Sequence, residues 1–327
     1  MAVYSTTVRG RLAPSPTGAL HIGNARTFLI AWLHARSLGG QVVMRMENLD
    51  HPKNKKGAAQ GALDDLRWLG FDWDEGPDVG GPCGPYTQSE RKDLYRAALE
   101  KLKAKGLVYP CACTRKDVEA GQSAPHEGET LHYPGTCRGR FRDFAEARVA
   151  IGGRTPAWRF RVEEGASASF DDLFCGHYEQ DVSAYCGDFV LARDEFGAGY
   201  MLAVVVDDAA MGVTEVVRGD DLLSATPRQL LLYKALDLKP PAFLHVPLVR
   251  GPDGLRLAKR HGDTRIAAFR EAGVKPERLL GYLAYTCGWA EADESVTLSE
   301  LLDRFDLSKL PRHDIVWETG ERIDALK

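Results

Sequence analysis

The chain has 327 residues, 44% hydrophobic and 27% charged, the ordinary balance of a globular protein large enough for two domains or for one domain carrying an insertion. A formal net charge of -4 excludes a global basic field, so a nucleic-acid partner would have to be met by local patches such as Lys101, Lys103 and Lys105, or Arg138, Arg140 and Arg142. The opening MAVYSTTVRGRL lacks an apolar stretch of signal-peptide length and no run approaches the roughly 20 apolar residues of a membrane span, which together predict a cytoplasmic protein with no membrane partner.

In chain order, an opening strand is followed by a helix predicted from Ile22, Ala25, Leu29, Trp32 and Leu33 at helical spacing, ending near Gly39 and Gly40. QVVMRMENLD reads as a buried strand, and KGAAQGALDDLRWLGF as a second helix with Ala62, Leu66 and Leu69 on one face. Strand, helix, strand, helix is the start of a doubly wound parallel α/β sheet of Rossmann type. From about Tyr109 to Phe189 the texture changes to short strand-like pieces rich in Gly, Pro and Cys, which predicts an insertion. The α/β pattern then resumes: LAVVV and TEVVRG are predicted strands, and TPRQLLLYKAL a helix with a Thr cap and Pro in its first turn. FLHVPLVRGPDGLRLAKRHGD follows as a strand, a Pro-Asp-Gly turn and a basic loop, and roughly the last 60 residues read as helices. These changes divide the chain into residues 1–108 and 190–250, two halves of one α/β domain, an insertion at 109–189, and a loop with a small helical subdomain at 251–327.

In a doubly wound sheet, ligands bind beyond the C-terminal ends of the strands, where the first loop meets a helix N-terminus. APSPTGALHIGN lies there. Its prolines stiffen the loop, Gly18 permits close backbone approach, and the helix start offers N–H groups to an anion. Neither a GxGxxG nor a GxxxxGK[ST] pattern is present, so the usual dinucleotide fingerprint and the P-loop are both excluded at this position. His21 and Asn24, three residues apart, share a helix face and can donate to one phosphate group; a plain polar surface turn is the alternative.

HIGN after APSPTG resembles the HIGH signature of class I aminoacyl-tRNA synthetases, and RLAPSPTGALHIGNARTFLIAWLHAR resembles their glutamyl branch. RLAKR, from Arg256 to Arg260, stands where that family carries KMSKS. The similarity runs to the C-terminal RFDLSKLPRHDIVW. Full glutamyl-tRNA synthetases continue into a helical anticodon-binding region, whereas this sequence stops at Lys327 and so resembles the short glutamyl-Q tRNA(Asp) synthetase family. The resemblance implies a class I catalytic domain with a zinc-binding insertion, and a C-terminal subdomain that contacts the RNA stem. It further implies activation of L-glutamate by ATP with Mg2+, transfer to the queuosine base in the anticodon loop of tRNA(Asp), and a monomer.

Glutamate carries two carboxylates and one ammonium, so its pocket calls for cations and one anion. The resemblance assigns Arg11, Ala13 and Ser15 to the amino acid, together with Glu47 as the acid that pairs with its ammonium. Strand alternation in MRMENLD puts Met44 and Met46 on one face and Arg45 and Glu47 on the other. Tyr200 and Arg218 match the remaining family positions, Arg218 being suited to bidentate binding of the side-chain carboxylate. Leu222 stands where full glutamyl-tRNA synthetases usually carry Trp, a departure that favours the short family. Asp207 and Asp208 either line the nucleotide site or form a solvated strand end. His21, Asn24 and Lys259 are the implied ATP-binding and catalytic residues. Arg256 and Ala258 depart from the first lysine and the serine of KMSKS, and Asn24 from the second histidine of HIGH.

Seven cysteines without an export signal argue against a disulfide framework. YPCACTRKD and LHYPGTCRGR bring Cys111, Cys113 and Cys137 into one segment, and three thiolates plus one further ligand make a closed structural zinc site. By residue type His132 or His126 is the fourth ligand; the resemblance instead selects Tyr133. Three buried free thiols are the plainer alternative. The competing functions are a truncated glutamyl-tRNA synthetase charging tRNA(Glu), a non-catalytic RNA-binding paralogue, and a small-molecule ligase of the pantothenate synthetase sort.

Overall fold

The computed structural model describes residues 7–49, 53–120, 131–195, 197–255, 257, 261–317 and 326. Strand β1 (Arg9–Leu12) pairs in parallel with β2 (Gln41–Met44), and α1 (Ile22–Ser37) connects them. Helix α1 buries Ile22, Ala25, Leu29, Trp32 and Leu33, the face that its sequence predicts, and Ile30, Ala31, His34 and Ala35 beside it, so the run from Leu29 to Ala35 is covered on every side. Helices α2 (Ala58–Trp68) and α3 (Lys92–Ala104) follow. The central segment contains β3 (Val108–Cys111), α4 (Arg115–Ala120), α5 (Phe144–Ala150), β4 (Ala157–Phe160), the hairpin β5 (Ser167–Asp172) and β6 (Gly176–Asp181), α6 (Val182–Tyr185) and β7 (Phe189–Ala192). In it β3, β4 and β7 form an antiparallel sheet.

The α/β pattern resumes with α7 (Tyr200–Ala210), β8 (Glu215–Gly219), α8 (Thr226–Ala235) and β9 (Ala242–Val246), with β8 and β9 parallel. Thr214 N–H donates to Arg9 O at 2.9 Å and Arg9 N–H to Thr214 Oγ1 at 2.8 Å, which sets the start of β8 beside β1. The C-terminal ends of β1 and β8 thereby face one crevice, as a doubly wound sheet requires. Strand β10 (Val249–Arg250), helices α9 (Ile266–Glu271), α10 (Pro276–Tyr285) and α11 (Leu298–Arg304), and β11 (Ile315–Val316) complete the chain. The C-terminal region is therefore helical apart from β11, which pairs in parallel with β10.

Two large cores hold these elements. One packs α1 (Leu29, Leu33) against the C-terminal helices (Leu279, Leu283, Leu301); the other packs α3 (Leu99), α7 (Val205) and α8 (Leu232) around β8 and β9. A small third core, Tyr109, Cys111, Ala112, Val118, Tyr133 and Cys137, lies in the central segment.

LAVVV, a predicted strand, is instead the middle of α7. Leu202 to Asp208 are all buried there, and a run covered on every side shows neither helical nor strand periodicity in sequence. The Thr cap of α8 is corrected too: Ala225 is the N-cap, while Thr226 turns its hydroxyl to Arg218. Among the described residues no helix is long and apolar enough to cross a membrane.

Candidate active site

His21 is the N-cap of α1. Its Nδ1 accepts from the Asn24 backbone N–H at 3.3 Å, and Asn24 Oδ1 accepts from the His21 N–H at 3.3 Å, closing a reciprocal capping box. With Nδ1 as acceptor, the ring proton sits on Nε2, and burial pushes the ring down to about 4, so a neutral imidazole presents one N–H. A Cβ at Gly23 would sit 3.1 Å from the His21 ring, which explains the glycine between the two polar residues. The helix start is less open than the sequence implies. Asn24 N–H is taken by the cap and Ile22 N–H donates to Thr264 O at 3.0 Å. The anion-binding capacity therefore rests on His21 Nε2 and the Asn24 amide nitrogen more than on bare backbone.

The Thr264 contact also matters for placement. His21 forms an antiparallel bridge with Arg265, and Ile266 N–H donates to Leu20 O at 2.9 Å, so the segment after the basic loop is tied to the opening loop. Leu257 of that loop lines the same crevice. Arg256, Ala258, Lys259 and Arg260 lie outside the described residues, as does His126.

Eight of the residues singled out in the sequence, Arg11, Ala13, Ser15, His21, Asn24, Glu47, Tyr200 and Arg218, line one cleft of about 640 Å³. Leu222 lines it as well. Its charges are arranged in two parts. On the first side, Arg45 is wholly buried, donates to Glu47 Oε1 at 2.9 Å and to Asp208 Oδ1 at 2.6 Å, and so holds the Glu47 carboxylate at the cleft. Burial raises the Glu47 pKa, opposed by Arg45, and an arriving ammonium would favour the ionised form further. Arg11 donates to Val217 O at 2.7 Å, while its buried Nε has no hydrogen-bond partner among the described residues.

On the second side, Arg218 is held wholly by neutral acceptors among the described residues. Its Nε donates to His245 Nε2 at 3.0 Å, Nη2 donates to Thr226 Oγ1 and Gln229 Oε1 at 2.8 Å each, and Nη1 donates to Tyr200 Oη at 3.4 Å. A guanidinium that is 4% exposed and meets no carboxylate among the described residues carries a charge left for an anion arriving in the cleft.

Asp207 and Asp208 neither line the cleft nor end a solvated strand. Asp207 accepts from Arg91 Nε at 2.6 Å, Gln88 Nε2 at 2.8 Å and Tyr95 Oη at 2.9 Å, and Asp208 pairs with Arg45. Arg45, His245, Thr226 and Gln229 support the cleft and were not legible as site residues, because only the fold brings them to their partners, and Asp208, a candidate for the nucleotide site, instead serves as the counter-ion of Arg45. The only local signal was Arg45, placed by strand alternation on the Glu47 face.

Residues 7–324 match the family of class I tRNA synthetases (E and Q), catalytic domain. The chain belongs to that family. It is 53% identical over 308 residues to a glutamyl-Q tRNA(Asp) synthetase of Symbiobacterium thermophilum, covering 94% of each chain, and 52% identical to one of Nitratidesulfovibrio vulgaris, covering 86% of each. A glutamate–tRNA ligase of Heliobacterium modesticaldum is 42% identical over 95% of this chain but only 63% of its own length. Among solved structures, the glutamate-tRNA synthetase of Elizabethkingia anophelis aligns with TM-score 0.81 and 29% identity over 98% of this chain and 70% of its own. The expected doubly wound α/β class I fold therefore stands.

Within this class I synthetase, the central segment gathers Cys111, Cys113 and Cys137 so that their sulfurs lie within 4.8 Å of one another. Tyr133 Oη lies 3.4 Å from Cys111 Sγ and 3.6 Å from Cys113 Sγ, and it accepts from Cys137 N–H at 2.9 Å. His132 turns away, its Nε2 lying 3.1 Å from Ser183 O. The donor set fits a small cation with soft ligands: three thiols converge around one phenol oxygen, while Arg159 stacks 3.7 Å from the Tyr133 ring centre. Burial pushes the Cys113 thiol up to about 12 and raises the Tyr133 phenol, while at Cys137 burial is outweighed by the hydrogen bonds of Tyr133 and the other thiols, which lower the thiol; a fully deprotonated set would need the counter-charge of a divalent cation.

Proposed function

We propose that this chain activates L-glutamate with ATP and transfers it to the queuosine base in the anticodon loop of tRNA(Asp). The observation that carries the reading is the 53% identity to a glutamyl-Q tRNA(Asp) synthetase across 94% of both chains, joined to a cleft with one anionic and one uncompensated cationic side. In this reading Arg218 takes the side-chain carboxylate of glutamate, Glu47 pairs with its ammonium, and Arg11, Ala13 and Ser15 shape the pocket around it. The α-carboxylate attacks the α-phosphate of ATP and pyrophosphate leaves, with Mg2+ accompanying the nucleotide. No protein nucleophile is needed, so the work is positioning and stabilisation of phosphate charge. His21 Nε2–H, the Asn24 amide and Lys259 are the donors to the nucleotide. A neutral His21 suits that task, because its Nδ1 lone pair holds the Asn24 N–H while Nε2–H stays aimed as a donor.

Cys111, Cys113, Cys137 and Tyr133 are the ligands of a structural zinc that folds the insertion. The four-part division at 1–108, 109–189, 190–250 and 251–327, a monomeric state and a cytoplasmic location belong to the same reading. The 53% identity to a glutamyl-Q tRNA(Asp) synthetase against 42% to the glutamate–tRNA ligase of Heliobacterium modesticaldum supports this reading over one that charges tRNA(Glu).

The test is incorporation of labelled glutamate into purified tRNAs. Labelling of tRNA(Asp) that contains queuosine, with none of the same tRNA lacking it, is the expected result. Labelling of tRNA(Glu), or of tRNA(Asp) regardless of queuosine, overturns it. Absence of glutamate-dependent ATP–pyrophosphate exchange would identify a non-catalytic paralogue.

A further inference from the structure

Behind Arg218 lies a buried relay. The His245 ring, fully buried on β9, accepts from Arg218 Nε through Nε2 at 3.0 Å and pairs through Nδ1 with Asp172 Oδ2 at 2.6 Å. Asp172, at the end of β5, is itself pinned: Oδ1 accepts from Phe174 N–H at 3.0 Å and Cys175 N–H at 2.8 Å, and both oxygens accept from His245 N–H at 3.2 Å. A carboxylate accepts only, so it forces the ring proton onto Nδ1 and leaves a lone pair on Nε2. Only that tautomer can accept from a guanidinium, which donates only.

The rest of the cage follows the same logic. Gln229 turns its amide oxygen to Arg218 although its buried Nε2 then has no hydrogen-bond partner among the described residues. Phe243 closes the second face, its ring centre 5.2 Å from the Arg218 guanidinium carbon. Had Asp172 touched Arg218 directly, the pair would neutralise itself; with an imidazole between them, the cation keeps its charge for a ligand while its orientation is fixed. Burial and the nearby Arg218 lower the His245 pKa against the pull of Asp172, in keeping with a neutral ring.

We propose that Asp172 and His245 are positioning residues that make this site select a substrate side-chain carboxylate, by fixing the imidazole tautomer that orients Arg218 without neutralising it. This rests on the reading of Arg218 as the glutamate side-chain ligand. Asp172→Asn is nearly isosteric. Its Oδ1 keeps the turn, while its Nδ2 replaces Oδ2, donates to Nδ1, and so drives the ring proton to Nε2, where it opposes the Arg218 Nε–H. His245→Gln restores an acceptor at the Nε2 position that does not depend on Asp172.

ATP–pyrophosphate exchange on the full chain tests this. The wild type must first show glutamate-dependent exchange; its failure removes the underlying reading and not the relay. Asp172→Asn is expected to raise KM for glutamate about 10- to 100-fold, the worth of an ionic hydrogen bond, with KM for ATP within about twofold of wild type. In the Asp172→Asn background, His245→Gln is expected to bring KM for glutamate back to within about threefold of the His245→Gln single variant, the near-equality that an uncoupled pair requires. An unchanged KM for glutamate in Asp172→Asn overturns the proposal. So does a parallel rise in both KM values with a lowered Tm, the mark of a merely structural role, or failure of the second substitution to rescue.

Discussion

At the scale of single residues, His21 combines two duties that compete in water and cooperate here. Capping uses Nδ1, which leaves Nε2–H as a fixed donor, and burial removes the charged form. The sign of the resulting pH dependence follows directly. The folded-state pKa of about 4 lies below the ordinary histidine value, so the unfolded chain takes up its proton first as pH falls. His21 therefore contributes stability that is fully present above pH ~6.5 and is lost progressively towards pH ~4. Asn is a good N-cap without a titrating ring, so His21→Asn should keep its urea midpoint at pH 7 to within the effect of about 1 kcal/mol and lose less of it than wild type at pH 5. Chemical denaturation at the two pH values checks this, and exchange activity should fall in the same variant because the Nε2 donor is gone.

Among the elements, the segment around the cysteine cluster packs in a small core apart from the two large ones. Among the described residues that core is six buried side chains, two of them cysteines of the cluster, so a cation bound there would replace packing that a small unit cannot supply. One zinc per chain is the expected elemental content. Cys137→Ala should abolish stoichiometric metal and destabilise the protein by about 3 kcal/mol or more, read from thermal or urea unfolding. Tyr133→Phe should retain metal more weakly and be more easily stripped by chelator, because three thiolates remain. His132→Ala should leave the metal content unchanged, since that ring turns to Ser183 O.

Across the whole molecule, a buried cation joins the apolar core in fastening the C-terminal helices to the catalytic half. Arg26 of α1 is wholly buried, donates to Pro247 O at 2.7 Å, and reaches Thr286 after α10 through Nε at 3.1 Å and Nη2 at 3.3 Å. Because α1 begins at the candidate active site and the same region ties Leu20 to Ile266, movement of the helical subdomain would be felt at His21. Arg26→Met leaves these acceptors without a donor and should cost about 3 kcal/mol. Faster amide exchange in α10 and weaker glutamate-dependent exchange activity are the expected accompaniments.

What the sequence by itself determined is local: the place where α1 begins, the buried face of that helix, the turn-rich loop before it, and the spacing of the cysteine cluster. Each depends on residues a few positions apart, and spacing records such relations faithfully. What only the tertiary structure decided is non-local. LAVVV became a helix because it is covered on all sides, and Asp207 and Asp208 became counter-ions because Arg91 and Arg45 meet them across 116 and 163 residues. The acceptor cage of Arg218 draws His245 from 27 residues away and Asp172 from 73 residues before that histidine. Buried charges must find partners wherever the fold brings them, so their pairing leaves no periodic trace in the chain.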